Sequence, residues 1–177
     1  MKKLWLIVAV SLCAALLLSS CGGGADKAFP EALTCEEVMT AALNALDGEP
    51  EAESYYSSAK DDAVKLDEFE LSLLEDGLFE ACPEYSEVKD YALYICNGKE
   101  TFELQVLKAG SEEGAEKLKG MLDRRIQTIS GGDKAMYDPS FDSMIKNAQT
   151  YTDGLFAVLM ITSDNSAARS AIDALKK

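Results

Sequence analysis

The chain contains no histidine. That removes imidazole acid–base chemistry, the Ser–His and Cys–His nucleophile pairs, and the commonest transition-metal ligand. Tryptophan is confined to Trp5, so the rest of the chain lacks the aromatic most used to anchor interfaces. No C-x-x-C occurs, which leaves thioredoxin-like and zinc-ribbon readings without support. Positive charge is scarce: 17 Lys and Arg stand against 31 Asp and Glu, a net charge of −14. The deficit is uneven. Residues 21–90 hold 19 acids and 4 bases, whereas residues 91–177 hold 12 and 11. Nucleic acid is therefore not an expected partner, because phosphate binding needs clustered Lys and Arg. Anionic headgroups should repel the acidic half, and the acidity suits solubility at a crowded surface.

The long apolar run that does exist lies at the start. Lys2 and Lys3 precede an apolar stretch from Leu4 to Leu18, broken only by Ser11. It is shorter than the roughly 20 residues a membrane-spanning helix needs and fits the h-region of an export signal. Leu18-Ser19-Ser20-Cys21 follows directly and resembles the lipobox of bacterial lipoproteins. Small residues admit the backbone to a peptidase cleft, and the Cys21 thiol is the expected site of lipidation. Two acyl chains, at about 0.8 kcal/mol per buried CH₂, hold a protein on a membrane where one is marginal. The alternatives are an ordinary secretory signal with a chance cysteine, or an uncleaved anchor.

The expected organisation is a signal peptide over 1–20, a lipid-anchored flexible tether over 21–31, a helix plus acidic arm over 32–65, and an α+β domain over 66–177. Loss of Lys2 and Lys3 with the signal takes the charge from −14 to −16. The remainder is long enough for one domain with a real core. Beyond Cys13 in the signal and Cys21, the cysteines are Cys35, Cys82 and Cys96. They allow at most one intramolecular disulfide, with Cys82 and Cys96 the nearer pair; the alternative is three buried thiols packing as small apolar groups.

Local patterns give the elements. Thr34-Cys35-Glu36-Glu37 reads as a capping box. Val38, Met39, Ala42, Leu43, Ala45 and Leu46 then share one broad helical face, and Asp47-Gly48 ends it. Residues 49–62 read as a loop or extended arm. Leu66, Phe69, Leu73 and Leu74 suggest a short helix ending near Gly77. From Val88 the period changes to two, with Tyr91, Leu93 and Ile95 on one strand face. Asn97-Gly98 is a strong hairpin signal, and Phe102, Leu104 and Val106 share a face of the returning strand. Ser111 should cap a long helix with Ala115, Leu118, Leu122, Ile126 and Ile129 inward, stopped by Gly131-Gly132. Asp138-Pro139 reads as the N-cap and first-turn proline of a short helix through Lys146. A strand from Ala148 to Thr152, a turn at Asp153-Gly154 and an unbroken apolar strand from Leu155 to Ile161 follow. That run implies burial on both faces or a central place in the sheet. Ser163 or Asn165 should cap the last helix, with Ala168, Ile172 and Leu175 inward. The fold expected is α+β: an antiparallel sheet from two hairpins covered by helices (β-β-α-α-β-β-α), preceded by an N-terminal helical region.

Several ordered features carry a family resemblance. They are the Tyr-rich strand Tyr91 to Ile95, Glu103 in the next strand, Arg124-Arg125-Ile126-Gln127, Tyr137-Asp138-Pro139, Asn147-Ala148, Gly154, and Ser163-Asp164 closing a strand. From about Leu66 to its end the chain resembles the small Gram-positive lipoproteins grouped as domain of unknown function 4358. Cys35, Cys82, Cys96 and the acidic arm are not part of that pattern. The resemblance implies a lipid-anchored envelope protein and supplies no catalytic residues.

Motifs with chemistry point weakly. Ser57-x-x-Lys60, Ser143-x-x-Lys146 and Ser163-Asp164-Asn165 match two motifs of penicillin-recognising enzymes, but no K-T-G follows. Asp133, Asp138 and Asp142 are the most compact acidic set for calcium, without a D-x-D-x-D-G loop. Tyr137 and Arg125 are candidates for a recognition patch; otherwise Tyr137 packs on the sheet and Arg125 complements its helix C-terminus. The sequence therefore assigns no catalytic, cofactor-binding or metal residue, and one modification site, Cys21. It is read as a non-enzymatic binding or adaptor domain on the extracytoplasmic face of the cell membrane, with an envelope protein or small ligand as partner. The alternative is a carboxylate-based enzyme acting on envelope material. An enzyme should show acids converging in a cleft, a binding module an exposed apolar patch, and a spacer or assembly protein, the third possibility, neither.

Overall fold

A computed structural model describes residues 28–67, 70–71, 74, 82–96, 100–132, 136 and 138–177. The signal over 1–20, Cys21, the start of the tether, Phe69, Leu73, Gly77, the Asn97-Gly98 turn, Asp133 and Tyr137 lie outside the described residues.

The architecture follows from strand β3 (Glu103–Ala109), whose residues are all buried except Lys108. Successive side chains of a strand point to opposite faces, so such a strand needs cover on both sides. Its neighbour β5 (Phe156–Ile161) is buried throughout. The sheet is antiparallel with five strands in the order β1-β2-β3-β5-β4, so β3 is its centre. The others are β1 (Glu53–Tyr56), β2 (Val88–Ile95) and β4 (Gln149–Asp153). The fold is α+β, and the two expected hairpins are present. The extended arm over 49–62 supplies a fifth strand that its polar sequence did not announce: β1 pairs with β2 from Glu53↔Ile95 to Tyr56↔Ala92.

Two helical layers close the sheet. On one face α1 (Cys35–Leu43) and α4 (Asn165–Asp173) bring Val38, Met39, Ala42, Ala168 and Ile172 onto Ala92, Leu104, Val106, Val158 and Met160. On the other, α2 (Glu112–Ser130) brings Ala115, Leu118, Met121 and Leu122 onto Leu93, Ile95, Leu107, Leu159 and Ile161. Met121 completes the stripe expected of α2, while Ile126 and Ile129 are only half-buried. A short helix, α3 (Phe141–Asn147), leads into β4.

The helix starts show how local sequence fixes these elements. In α1 the Thr34 hydroxyl accepts from the Glu37 amide at 3.2 Å, and the Glu37 carboxylate accepts from the Thr34 amide at 2.9 Å. Ser111 accepts from the Gly114 amide, as its position predicted. The last helix is capped by Asp164, which accepts from the Ala167 amide at 2.9 Å, and not by Ser163 or Asn165. Asn165 is instead buried, its oxygen accepting from the amide and hydroxyl of Thr162. The β4–β5 hairpin closes on the pair Asp153↔Phe156, leaving a two-residue loop that starts with Gly154 at φ +56°. A positive φ at the first loop position is the type II′ arrangement, which glycine meets without strain.

Fully burying a leucine contributes about 1.5–3 kcal/mol, and truncating it to alanine costs about 2–5 kcal/mol. Leu104 and Leu107 sit on opposite faces of β3 and both are fully buried. Leu104→Ala and Leu107→Ala should each cost about 2–5 kcal/mol in denaturant unfolding. A sheet with one wet face would lose stability for only one of them.

Candidate functional site

Polar groups placed against this apolar sheet are the natural candidates for chemistry. Glu103 and Gln105 lie on the α2 face of β3 and are 4% and 0% exposed. They stand on the face opposite Phe102, Leu104 and Val106, and α2 covers that face.

Burying Glu103 demands a partner, and α2 supplies one. Arg125 Nε donates to Glu103 Oε1 at 3.0 Å and Arg125 Nη2 to Oε2 at 2.9 Å, a two-pronged pair of the kind guanidinium geometry favours. Arg125 Nη1 donates to the Leu74 carbonyl, and Gln105 Nε2 donates to Glu103 Oε1. Gln105 Oε1 is buried without a partner among the described residues. Arg125 is thus neither a surface recognition residue nor a partner of its helix C-terminus, as the sequence had suggested. Its charge is used inside, pinning the chain at Leu74 over the second core. Tyr137, the other half of the suggested patch, lies outside the described residues.

Asp138 is the second buried acid. Its Oδ2 accepts from the Thr101 amide at 2.6 Å, and its Oδ1 from the Ser140 amide at 2.8 Å and hydroxyl at 2.6 Å. Burial works to raise its pKa, but these donors outweigh it and hold the carboxyl at about 2. The helix it was expected to cap begins later, at Phe141, and Asp138 instead ties that entry to the chain before β3. Its oxygens are spoken for, Asp142 is exposed and Asp133 lies outside the described residues. No group of three or more potential metal ligands occurs among the described residues.

Asp90 organises the opposite end of the sheet. Its Oδ2 accepts from the Cys35 amide at 2.7 Å, satisfying an amide at the start of α1. Its Oδ1 accepts a short hydrogen bond from the Ser57 hydroxyl. Ser57 therefore ends edge strand β1, while Ser143 donates to the Ser140 carbonyl in α3, which feeds the opposite edge. The two S-x-x-K motifs are not brought together, and Asp164-Asn165 cap and brace α4.

The three described cysteines are buried and form no disulfide with one another. Cys96 belongs to the core under α1 and α4, Cys82 to the core under α2, so the suggested Cys82–Cys96 disulfide does not form. Burial, helped by nearby Asp90, pushes the Cys35 thiol far above its ordinary range. Cys82 Sγ donates to Glu84 at 2.9 Å and accepts from Arg124 at 3.5 Å, joining the Arg124–Glu84 ion pair.

Three surface depressions are found among the described residues. One of about 200 Å³ is lined by Ser57, Leu71, Tyr85, Val88, Lys89 and Tyr91. One of about 230 Å³ lies between Phe29, Pro30, Lys108, Leu155 and Phe156. The third, about 360 Å³, is an open cleft between Glu112, Glu113, Glu116, Thr152 and Gly154. Its glutamates are exposed, whereas catalytic acid pairs depend on a desolvated setting. The broad apolar patch expected of a binding module is not found among the described residues either, where Met136 is the exposed large hydrophobic side chain. No helix of the described residues is long and apolar enough to cross a membrane.

The chain matches no family model, no curated protein and no solved structure.

Two outcomes test these assignments. Removing one member of a buried ion pair leaves an uncompensated charge, so Arg125→Met and Glu103→Gln should each cost about 3–5 kcal/mol. The double variant Glu103→Met with Arg125→Met should recover much of that loss, measured by chemical unfolding. For Asp138 the folded pKa of about 2 lies below the unfolded value near ~4. Its contribution is therefore complete above pH ~4 and is lost as the pH falls toward ~2. Asp138→Asn should lower stability at pH 7 by about 1–3 kcal/mol and flatten the stability profile in that acid window.

Proposed function

We propose that the chain is a lipid-anchored domain on the extracytoplasmic face of the cell membrane and that it works by binding, as an adaptor for another envelope protein or a small ligand, and not by catalysis. The location rests on the ordered run of Lys2 and Lys3, the apolar stretch Leu4 to Leu18, and Leu18-Ser19-Ser20-Cys21. The likeness to the lipoproteins of domain of unknown function 4358 points the same way.

Part of the tether expected over 21–31 is docked on the fold, so a link to Cys21 ends at residue 28. The chain enters the fold at Ala28, whose carbonyl accepts from the Lys177 amide at 3.0 Å. Phe29 packs edge-on to Phe156 with ring centroids 5.3 Å apart, and Lys108 Nζ donates to the Glu31 and Leu33 carbonyls at 2.8 Å each. Seven residues from Cys21 to Ala28 reach at most about 25 Å. A lipid on Cys21 would therefore hold this end of the sheet close to the headgroups.

One observation carries the choice of binding over catalysis. The buried carboxylates, Glu103 and Asp138, have their oxygens occupied by Arg125, Gln105, Thr101 and Ser140. A general acid or base must instead face a substrate with a free oxygen. These two acids brace the fold.

Mass spectrometry of the protein extracted from membranes should show an N-terminal peptide starting at Cys21 with a thioether-linked diacylglycerol. Cys21→Ala should leave the membrane fraction. An unmodified Cys21 in a chain cleaved elsewhere would overturn the anchor. In-cell cross-linking of the lipidated protein should capture one partner in stoichiometric yield; capture of abundant neighbours alone would count against the adaptor reading.

A further inference from the structure

A sheet edge carries unpaired N–H and C=O groups, and proteins usually blunt such edges with charge, proline or a covering segment. The two edges here are treated differently. Edge strand β1 begins with Glu53, is preceded by Glu49 and Glu51, and is packed by the 3₁₀ turn Asp62–Val64 that follows it. Among the described residues, edge strand β4 pairs with β5 alone. Its sequence, Gln149-Thr150-Tyr151-Thr152-Asp153, has no proline or lysine and no charge before its last residue.

The hairpin register identifies the free groups. With Asp153↔Phe156 closing a two-residue loop, hydrogen-bonded pairs fall at Asp153, Tyr151 and Gln149. Thr150 and Thr152 then direct their backbone N–H and C=O away from β5. No backbone hydrogen bond outside the sheet engages either residue among the described residues.

The surroundings of this edge have one sign of charge to spare. The Thr150 and Thr152 side chains lie on the α2 face, donating short hydrogen bonds to Asp123 and Glu116. Asp123 is paired with Lys119 at 2.9 Å and Glu113 with Lys117 at 3.4 Å. Among the described residues neither Glu112 nor Glu116 has a cationic partner. These glutamates line the 360 Å³ cleft that opens beside Thr152 and Gly154. Behind the strand, the Arg169 guanidinium stacks 3.4 Å from the Tyr151 ring centroid and is paired with Asp153 and Asp173, so its charge is already matched.

We propose that β4 is a docking strand for an extended cationic segment of an envelope protein, which adds to the sheet by pairing with Thr150 and Thr152 and places lysine or arginine side chains in the Glu112–Glu113–Glu116 cleft. Strand addition uses main-chain bonds for affinity and alternate side chains for specificity. On an added strand the residues opposite Thr150 and Thr152 point to the α2 face, so cations at every second position meet the acids. The net charge of −14 favours a basic occupant over a second copy of the chain. This inference rests on the binding reading and names the chemistry of its partner.

The probe is a fluorescent peptide, acetyl-Thr-Lys-Val-Lys-Val-Lys-Thr-amide, titrated against the full chain in detergent micelles and read by anisotropy. A twin peptide carries N-methyl groups on alternate amides in each of the two possible phases. Saturable binding is expected. It should weaken at least tenfold in one methylated phase and not in the other, at least tenfold with glutamate replacing lysine, and at least tenfold in the Glu112→Gln, Glu113→Gln, Glu116→Gln triple variant. Thr152→Pro should abolish it while an unchanged melting curve shows the fold intact. Absence of binding, or equal binding by the methylated peptides, would overturn the proposal, since the latter is charge attraction without strand pairing. A stoichiometric partner cross-linked in cells through another face would overturn the edge assignment and leave the binding reading standing; an unlipidated Cys21 would remove the anchor and leave the edge assignment standing.

Discussion

Everything in this fold depends on covering β3 from both sides. A strand with Leu104 and Val106 on one face and Leu107 and Ala109 on the other cannot leave either face wet without exposing apolar area worth about 25 cal/mol per Å². Helices α1 and α4 answer one face and α2 the other, which is why the N-terminal helix is bound to the C-terminal one across the whole length of the chain. The segment over 32–65 is therefore no appendage: α1 closes a core that would otherwise be half open.

The same constraint determines what the charged residues can do. Glu103 on the closed face is tolerable because Arg125 reaches it with two hydrogen bonds, and that pair in turn holds the Leu74 carbonyl. Asp138 and Asp90 are likewise consumed in satisfying amides at element ends. Among the acids at the surface, Glu112 and Glu116 on α2 lie beside β4. Among the described residues the buried carboxylates are thus engaged in bracing the fold, and one edge of the sheet is left without a strand partner.

The fold was legible where local physics decides. The capping box at Thr34, the Ser111 cap, the β4–β5 turn at Gly154 and the apolar run of β5 each state their structure within a few residues. Legibility failed where tertiary contacts override pattern. The burial of Glu103 and Gln105 had no local sign, because nothing within the strand shows that α2 lies over it. Residues Glu53–Tyr56 read as an arm because an edge strand needs only one partner and little hydrophobicity. Arg125 looked like a surface anchor because the sequence shows its charge but not the glutamate 22 residues away that absorbs it. Cys82 and Cys96 looked like neighbours because sequence distance does not reveal that the sheet passes between them. The docking edge had no sequence signal beyond the missing charges of Gln149 to Thr152.

Amide hydrogen exchange of the free, full-length chain, resolved residue by residue, tests this account most directly. The amides of β3 should exchange only through global unfolding, because both faces and both edges of that strand are covered. Within β4, Thr150 and Thr152 should exchange rapidly while Tyr151 between them is protected by its bonds to Val158. Protection of Thr150 and Thr152 as strong as that of β3, or exchange in β3 as fast as at the edges, would contradict a sheet closed at its centre and open at β4.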